Sequence, residues 1–251
     1  MAETALDLGL STTHFDYREH DPGGVLLDKE WGDLKGLSLG AEVSGETAFL
    51  GFKADAQNDW VDYRGYLPQF TVDSRTRTII TRYHLQGGLN HTVNERFTIA
   101  ATAGIGYRRW YRNIESTAKA SGLREVYRWP YASLGARGDI RLTQSQQLIL
   151  ECQWYEVRKA DLRVDYHSNR YDEVNLDLPH GNGYSFSASW RQAFTDRLSL
   201  QLATEYQLWR FARSRSEPLF SNGETTGYAA TEPASKTREL TLSLGLRFML
   251  E

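Results

Sequence analysis

Two short stretches of this sequence carry the side chains best suited to chemistry on a polar bond. The first contains Gln57 and Asp59, followed by Trp60, and the second contains Asp165 and His167, two positions apart. A carboxylate and an imidazole that meet at one site can activate a water molecule and protonate a leaving amine. Acidic residues and histidines are also common at exposed strand ends, where they only keep loops soluble, so residue types alone leave both interpretations open.

The last stretch of the chain indicates that the elements that position these residues are β-strands. From Lys236 to Phe248, large apolar side chains at every even position from 240 onward alternate with charged, polar or small ones. Strict alternation places every second side chain on one face of a β-strand. One face of this strand therefore requires an apolar environment and the other a polar one.

The same alternation recurs in about ten segments along the chain. Short turns and longer polar connections alternate between these segments. The longer connections are predicted at 18–36, around 68, and at 113–125, 168–183 and 214–235. This arrangement is typical of transmembrane barrels, whereas soluble β-sandwiches, the alternative, mix their connections and have shorter strands. We therefore predict an all-β fold, a single closed antiparallel transmembrane β-barrel of about ten strands. It forms one domain over residues 1–251, with short periplasmic turns and longer extracellular loops.

Composition agrees with a barrel in the bacterial outer membrane. No apolar run reaches the ~20 residues that a spanning helix needs, and the aromatic content of 12% suits the girdles of a barrel at the membrane interfaces. The net charge of −3 provides no basic field for nucleic acid. The histidines show no metal-ligand spacing and the single Cys152 has no activating context, so we predict no cofactor. We also expect the barrel to be a monomer.

The polar face of the strands lines the lumen and carries many charges. These must be paired, because isolated buried charges are too costly. Two interpretations stay open: a solid, ion-paired interior that only holds the wall, and a narrow polar conduit for small solutes. The charged residues predicted to face the lumen are Asp7, Glu42, Lys53, Arg82, Arg108, Arg137, Asp139, Arg141, Glu151, Arg191, Glu205, Glu239 and Arg247.

A basic and aromatic cluster lies at the outer end of one strand, where Arg108, Arg109 and Arg112 surround Trp110 and Tyr111. Such a cluster suits the interface between a barrel and lipid headgroups. A more specific interpretation is binding to the phosphate groups of lipopolysaccharide. Outer-membrane lipid is therefore a predicted partner.

The strand order and the two acidic stretches together resemble the omptins, outer-membrane endoproteases built on ten-stranded barrels. In that family an Asp-x-Asp-Trp motif follows the third strand, an Asp-x-His motif lies late in the seventh, and the two face each other across the extracellular mouth. This chain has Gln57-Asn58-Asp59-Trp60 and Asp165-Tyr166-His167 at the corresponding places. The resemblance implies that Asp59 is the second aspartate of the first motif, that Asp165 polarises the histidine, and that His167 is the general base.

Gln57 departs from the family pattern, because it stands where the first aspartate is expected and an amide cannot supply that charge. The resemblance therefore implies weak peptidase activity that falls in His167→Ala and rises in Gln57→Asp. Three functions are kept: an omptin-like endopeptidase acting on a peptide substrate at the mouth, a non-catalytic surface barrel that binds a ligand or partner through its loops, and a narrow solute channel.

Overall fold

The computed structural model describes residues 3–67, 69–168 and 170–250. No helix in these ranges is long and apolar enough to cross a membrane. The strands are β1 Glu3–His20, β2 Leu26–Ser44, β3 Ala48–Leu67, β4 Phe70–Asn94, β5 Phe97–Ile114, β6 Leu123–Arg141, β7 Gln146–Val157, β8 Ala160–Tyr166, β9 Val174–Leu178, β10 Gly181–Ala193, β11 Leu198–Phe211, β12 Glu217–Ser221, β13 Glu224–Ala230 and β14 Ala234–Leu250.

Ten of these strands form a closed antiparallel ring, as predicted. β1 pairs with both β2 and β14, and each further strand of the ring pairs with its two neighbours in the order β2, β3, β4, β5, β6, β7, β10, β11 and β14. Closure leaves no unpaired edge in the wall, which is the condition for a β-structure to lie in lipid.

The register of the strands separates an apolar outer face from a polar inner face. Leu8 lies opposite Leu39 on one side and Leu246 on the other, and all three are exposed on the outer surface. The neighbouring Asp7 lies opposite Arg247 on the lumen side. Outward apolar side chains mark a lipid-facing band around the barrel, formed by residues 6–10, 37–43, 50–56, 79–89, 99–107, 130–136, 148–154, 184–190, 200–208 and 240–250.

The two ends of the barrel differ in their connections. One end has the short turns 45–47, 95–96, 142–145 and 194–197, and the other has the connections 21–25, 115–122, 167–173 and 212–233. Several strands are longer than predicted, so that the predicted connection 18–36 shrinks to 21–25. Above the membrane the outer face of a strand meets water, and the inner face meets buried aromatic and aliphatic side chains together with the ion pairs of Arg112. Polar residues there, on the outer face or around Arg112, therefore do not end a strand.

The connection 212–233 contains a hairpin where only a loop was predicted. β12 and β13 pair with each other, and Asn222 and Gly223 between them have positive φ angles of 53° and 81°. This Asn-Gly pair suits a tight hairpin turn. The carboxylate of Asp172 accepts hydrogen bonds from both backbone amides, at 3.1 and 2.8 Å. The tip of the hairpin is thereby attached to the connection 167–173.

Candidate functional site

Gln57 and Asp59 lie on β3, but they have different surroundings. Gln57 lines a polar cavity of about 260 Å³ in the lumen, and its buried Oε1 has no hydrogen-bond partner within the described ranges. Asp59 Oδ2 lies 3.7 Å from Nζ of Lys35, whose side chain is 86% exposed, and its Oδ1 accepts from the backbone amide of Trp60 at 2.8 Å. The carboxylate of Asp59 is therefore engaged near the barrel surface.

An extra residue interrupts the wall between β7 and β8. β6 pairs with β7 as far as Tyr131 opposite Val157, and with β8 from Arg128 opposite Asp161. From the first pair to the second, β6 moves by three residues, from Tyr131 to Arg128, whereas the chain opposite it moves by four, from Val157 to Asp161. The additional residue falls at 158–159, and it has the register of a β-bulge.

This bulge exchanges the two faces of the strand, because side chains alternate and one extra residue changes their phase. Before the bulge, the odd-numbered Tyr155 and Val157 are buried in the lumen; after it, the even-numbered Leu162 and Val164 are buried instead. The odd-numbered residues of β8 accordingly face outward. Exposing Leu162 and Val164 instead would cost ~1.5–3 kcal/mol for each side chain.

Asp165 and His167 therefore lie on the outer face, in contrast to the inward orientation that uninterrupted alternation predicts. Asp165 Oδ2 is 3.5 Å from Nη1 of Arg124, and the carboxylate side chain is 42% exposed. His167 is exposed, and its backbone amide donates to the carbonyl of Gly122 at 3.2 Å. In the described part of the chain no hydrogen bond joins Asp165 to His167, and neither contacts Asp59. Their catalytic roles stay predictions.

The arginines of the predicted lipid-headgroup cluster point to opposite sides of the wall. Arg108 and Arg112 are 2% and 1% exposed and lie inside the barrel. Arg109, between them, faces outward and is exposed. The prediction of lipid contact is wrong for Arg108 and Arg112, because all three cannot share a face on a strand whose side chains alternate.

Aromatic side chains fill the loop-side half of the lumen. The rings of Trp209 and Tyr155 stack at 4.8 Å, Trp129 packs edge-on against Trp209 at 5.9 Å, and Trp110 stacks on Tyr127 at 4.9 Å. These rings are 1% to 3% exposed. A layer of this kind leaves no polar passage through the part of the barrel that it occupies.

Ion pairs occupy much of the rest of the lumen, as the sequence predicts. Arg82 bridges Asp55 and Glu205, at 3.0 Å to each. Arg137 and Arg247 share Glu42, at 2.8 and 2.6 Å. The two groups tie together strands on opposite sides of the ring, which supports the interpretation that these charges hold the wall.

An acidic cluster surrounds Arg112 on the loop side of the lipid-facing band. Its guanidinium lies 2.7 to 3.4 Å from four carboxylates. A fifth, on Glu232, accepts hydrogen bonds from the Tyr127 and Tyr17 hydroxyls at 2.8 and 3.2 Å. Burial raises the pKa of Glu125 to about 7, with the neighbouring carboxylates adding to the effect and Arg112 opposing it. The five carboxylates, called the acidic cluster below, are Glu19, Asp28, Glu30, Glu125 and Glu232.

A row of basic side chains crosses the outer wall above the lipid-facing band. Cross-strand pairs connect Arg210 to Lys236, Lys236 to Arg18, Arg18 to Lys29 and Lys29 to Arg64. Five adjacent strands at ~4.8 Å spacing make this basic row ~19 Å wide. The pKa of the Lys236 ammonium is lowered by partial desolvation and by the nearby arginines, Arg18 and Arg210 among them. Sequence reasoning missed the row because its members are far apart in the chain.

The closed ring, the outward apolar band and the ion-paired lumen define a bacterial outer-membrane β-barrel. Among solved structures, the chain is similar to the outer membrane protease OmpT from Escherichia coli, with a TM-score of 0.69 and 10% identity over 99% of this chain and 97% of that one. It also matches the translocator domain of the autotransporter NalP from Neisseria meningitidis, with a TM-score of 0.45 and 10% identity over 97% of this chain and 88% of that one. No protein-family model and no curated protein sequence matches. The likeness to OmpT establishes the barrel fold.

Proposed function

We propose that this outer-membrane barrel is a non-catalytic surface protein that binds a ligand or partner through its loop-side end. The observation that carries the proposal is the bulge at 158–159, which leaves Asp165 and His167 on the outside of the wall. Gln57 adds to it, since an amide on the lumen side cannot act as a general base. Inside the lumen, His84 lines the same cavity as Gln57, but its Nε2 lies 3.1 Å from Oγ of Ser133, and within the described residues no hydrogen bond or ion pair joins it to Asp59.

A peptide library incubated with refolded barrel tests the proposal against the omptin-like endopeptidase. We expect no cleavage above buffer for the wild type, and none for Gln57→Asp, because that substitution restores a carboxylate without bringing His167, the predicted general base, to it. Removing a general base commonly costs ~10² to 10⁴ in rate. Cleavage by the wild type that falls by at least a hundredfold in His167→Ala would overturn the proposal and favour the endopeptidase.

The same proposal excludes a solute channel, because aromatic rings fill the loop-side lumen. Planar bilayers with the inserted wild type should give a closed electrical record. The double variant Trp129→Ala, Trp209→Ala removes two of the largest rings and should give measurable conductance if the layer is the barrier. Steady conductance of the wild type, unchanged in the double variant, would contradict this assignment.

Outer-leaflet lipid is the partner proposed for the basic row. The phosphate groups of lipopolysaccharide match cations placed just above the apolar band. Arg18 and Lys29 of the row contact Asp16, and Arg64 contacts Asp73, so the proposal rests on Arg210 and Lys236. Replacing Arg210 and Lys236 by glutamine should weaken lipopolysaccharide binding by about thirtyfold, at ~1 kcal/mol for each cation near a charged membrane surface. The control is Arg96→Gln, an exposed arginine on a short turn at the other end. Equal binding by both variants would rule out the row as the lipid site.

A further inference from the structure

The connection that carries the β12–β13 hairpin reaches into the barrel with the charged side chain of Glu232 and with Leu219 of β12, which belongs to the buried apolar core. Glu232 lies just before β14 and is 5% exposed. Its backbone amide donates to Oγ of Ser214 at 2.8 Å, and its carbonyl accepts from the amide of Ser214 at 2.9 Å. The two ends of the connection 212–233 are therefore hydrogen-bonded to each other through Ser214 and Glu232, and the Glu232 side chain lies in the acidic cluster.

Hydrogen-bond geometry indicates that carboxyl groups of this cluster hold protons. Tyr17 Oη lies 2.6 Å from Glu19 and 3.2 Å from Glu232, and Tyr127 Oη lies 2.8 Å from Glu232 and 3.4 Å from Glu125. Each hydroxyl has one proton and can donate only once. The two tyrosine hydroxyls therefore supply protons for two of these four contacts. In each of the other two contacts, the carboxyl group must carry the proton that forms the hydrogen bond.

Charge balance gives the same result. Arg112 is the cation that contacts the cluster in the described ranges, against five carboxylates. Two buried carboxylate oxygens, Asp28 Oδ1 and Glu30 Oε2, have no hydrogen-bond partner among the described residues. Several ionised carboxylates around one guanidinium in a buried site are costly. The titratable and charged groups in and around the cluster that contains Glu232 are Tyr17 and Glu19 on β1, Asp28 and Glu30 on β2, Tyr63 on β3, Arg112 on β5, and Glu125 and Tyr127 on β6.

The geometry points to a proton-operated latch: Glu232 holds the hairpin connection against the barrel while the acidic cluster is protonated and releases it when the cluster loses protons. Release carries a negative charge from a site of excess negative charge into water. The hairpin remains attached at its tip through Asp172, so the movement opens the base of the connection. Leu219 of β12 belongs to the same buried core as Trp110 and Trp129, so the connection packs against the aromatic layer of the loop-side lumen.

The direction of the pH dependence follows from the raised pKa of the Glu232 carboxyl in the closed state, which burial and the charges of Glu19 and Glu125 cause. In the open state the carboxyl is in water and titrates in its ordinary range. The closed state binds the proton more tightly, so it is favoured at acidic pH and weakens as the pH rises. One linked proton changes the opening equilibrium by about tenfold per pH unit between the two pKa values.

Trypsin offers a direct measure of opening, because Arg213 and Arg215 are exposed residues flanking Ser214. The rate of cleavage there is divided by the rate at Lys119, an exposed residue of the connection 115–122, which corrects for the pH dependence of the protease. We expect this ratio to rise at least tenfold from pH 6 to pH 8.5 in the wild type. A ratio that does not change with pH would overturn the latch.

Two variants and one control separate the latch from a general loosening of the loops. Glu232→Gln keeps an acceptor for the tyrosines but cannot ionise, so the ratio should stay low at every pH. Glu224→Gln, on the exposed start of β13, should behave as the wild type. If Glu232→Gln does not fold, Glu125→Gln decides, since it removes one carboxylate that repels Glu232 and should make the rise of the ratio with pH smaller. A wild-type pH profile in Glu232→Gln, or in Glu125→Gln when that variant decides, contradicts the proposal.

Discussion

Replacing Arg108 by methionine is expected to destabilise the barrel by ~3–5 kcal/mol, because it leaves a buried carboxylate without its partner. Arg108 and Glu239 are 2% and 3% exposed. Nη1 of Arg108 donates to Oε2 of Glu239 at 3.0 Å, and Nη2 donates to Oε1, so the pair is bidentate. The guanidinium also lies 5.4 Å from the ring centre of Trp129 and 5.7 Å from that of Trp209. Such contacts contribute up to ~2 kcal/mol where water is excluded.

Urea titration of the refolded barrel in detergent, followed by tryptophan fluorescence, measures this loss. The double variant Arg108→Met, Glu239→Leu removes both charges and should recover most of the stability, because apolar residues often replace a buried ion pair without loss. Arg96→Met, on an exposed turn, should stay within ~0.5 kcal/mol of the wild type. The reasoning is refuted if Arg108→Met unfolds at the urea concentration of the wild type, or if the double variant is no more stable than the single one.

The free energy of unfolding should also decrease by ~3 kcal/mol as the pH rises from ~4.5 to ~7, because the Glu125 carboxyl keeps its proton to about pH 7 when folded but loses it near its ordinary pKa when unfolded. Titrations at pH 5 and 8 should show a flatter dependence in Glu125→Gln, and an equally steep one would contradict the assignment. Deletion of Lys159 should change stability by less than ~1 kcal/mol, because it joins β7 and β8 into one strand without changing their faces. Deletion of Arg163 should instead expose Val164 and reduce amide protection over 160–166, and equal loss in both deletions would argue against the bulge.

The barrel could be predicted from the sequence because its wall follows one simple rule. In a closed barrel, every strand meets lipid on one side and polar groups on the other, so alternation such as that from Leu240 to Phe248 is repeated in each strand. Strand ends were harder to predict, since polar residues near the loop side satisfy both faces of a strand as well as they satisfy a loop. The hairpin at 217–230 did have a local signal, the Asn222-Gly223 pair, which favours a tight turn between two strands.

The candidate site could be predicted only in part. Its function depends on which face of a strand each residue lies on, as well as on the residue types. Counting alternate positions along β7 continues past Arg158 and Lys159 and puts Asp165 and His167 in the lumen. The apolar residues show the change of phase, since Tyr155 and Val157 are odd-numbered whereas Leu162 and Val164 are even-numbered. The acidic cluster and the basic row had no sequence signal, since each is assembled from strands that are distant in the chain.

A barrel wall and a catalytic site require different things of a sequence. In this chain, the bulge at 158–159 satisfies the wall but turns the candidate catalytic residues away from the lumen. The wall needs only alternation, which many sequences satisfy, so a fold of this kind persists at low identity. A general base needs one particular side chain on the same face as the bound substrate. Turning His167 into the lumen would place Leu162 and Val164 in water, at ~1.5–3 kcal/mol for each, and would separate Asp165 from Arg124. The forces that hold β8 in the wall therefore oppose the catalytic arrangement, and a peptidase built on this chain would need its histidine on another strand.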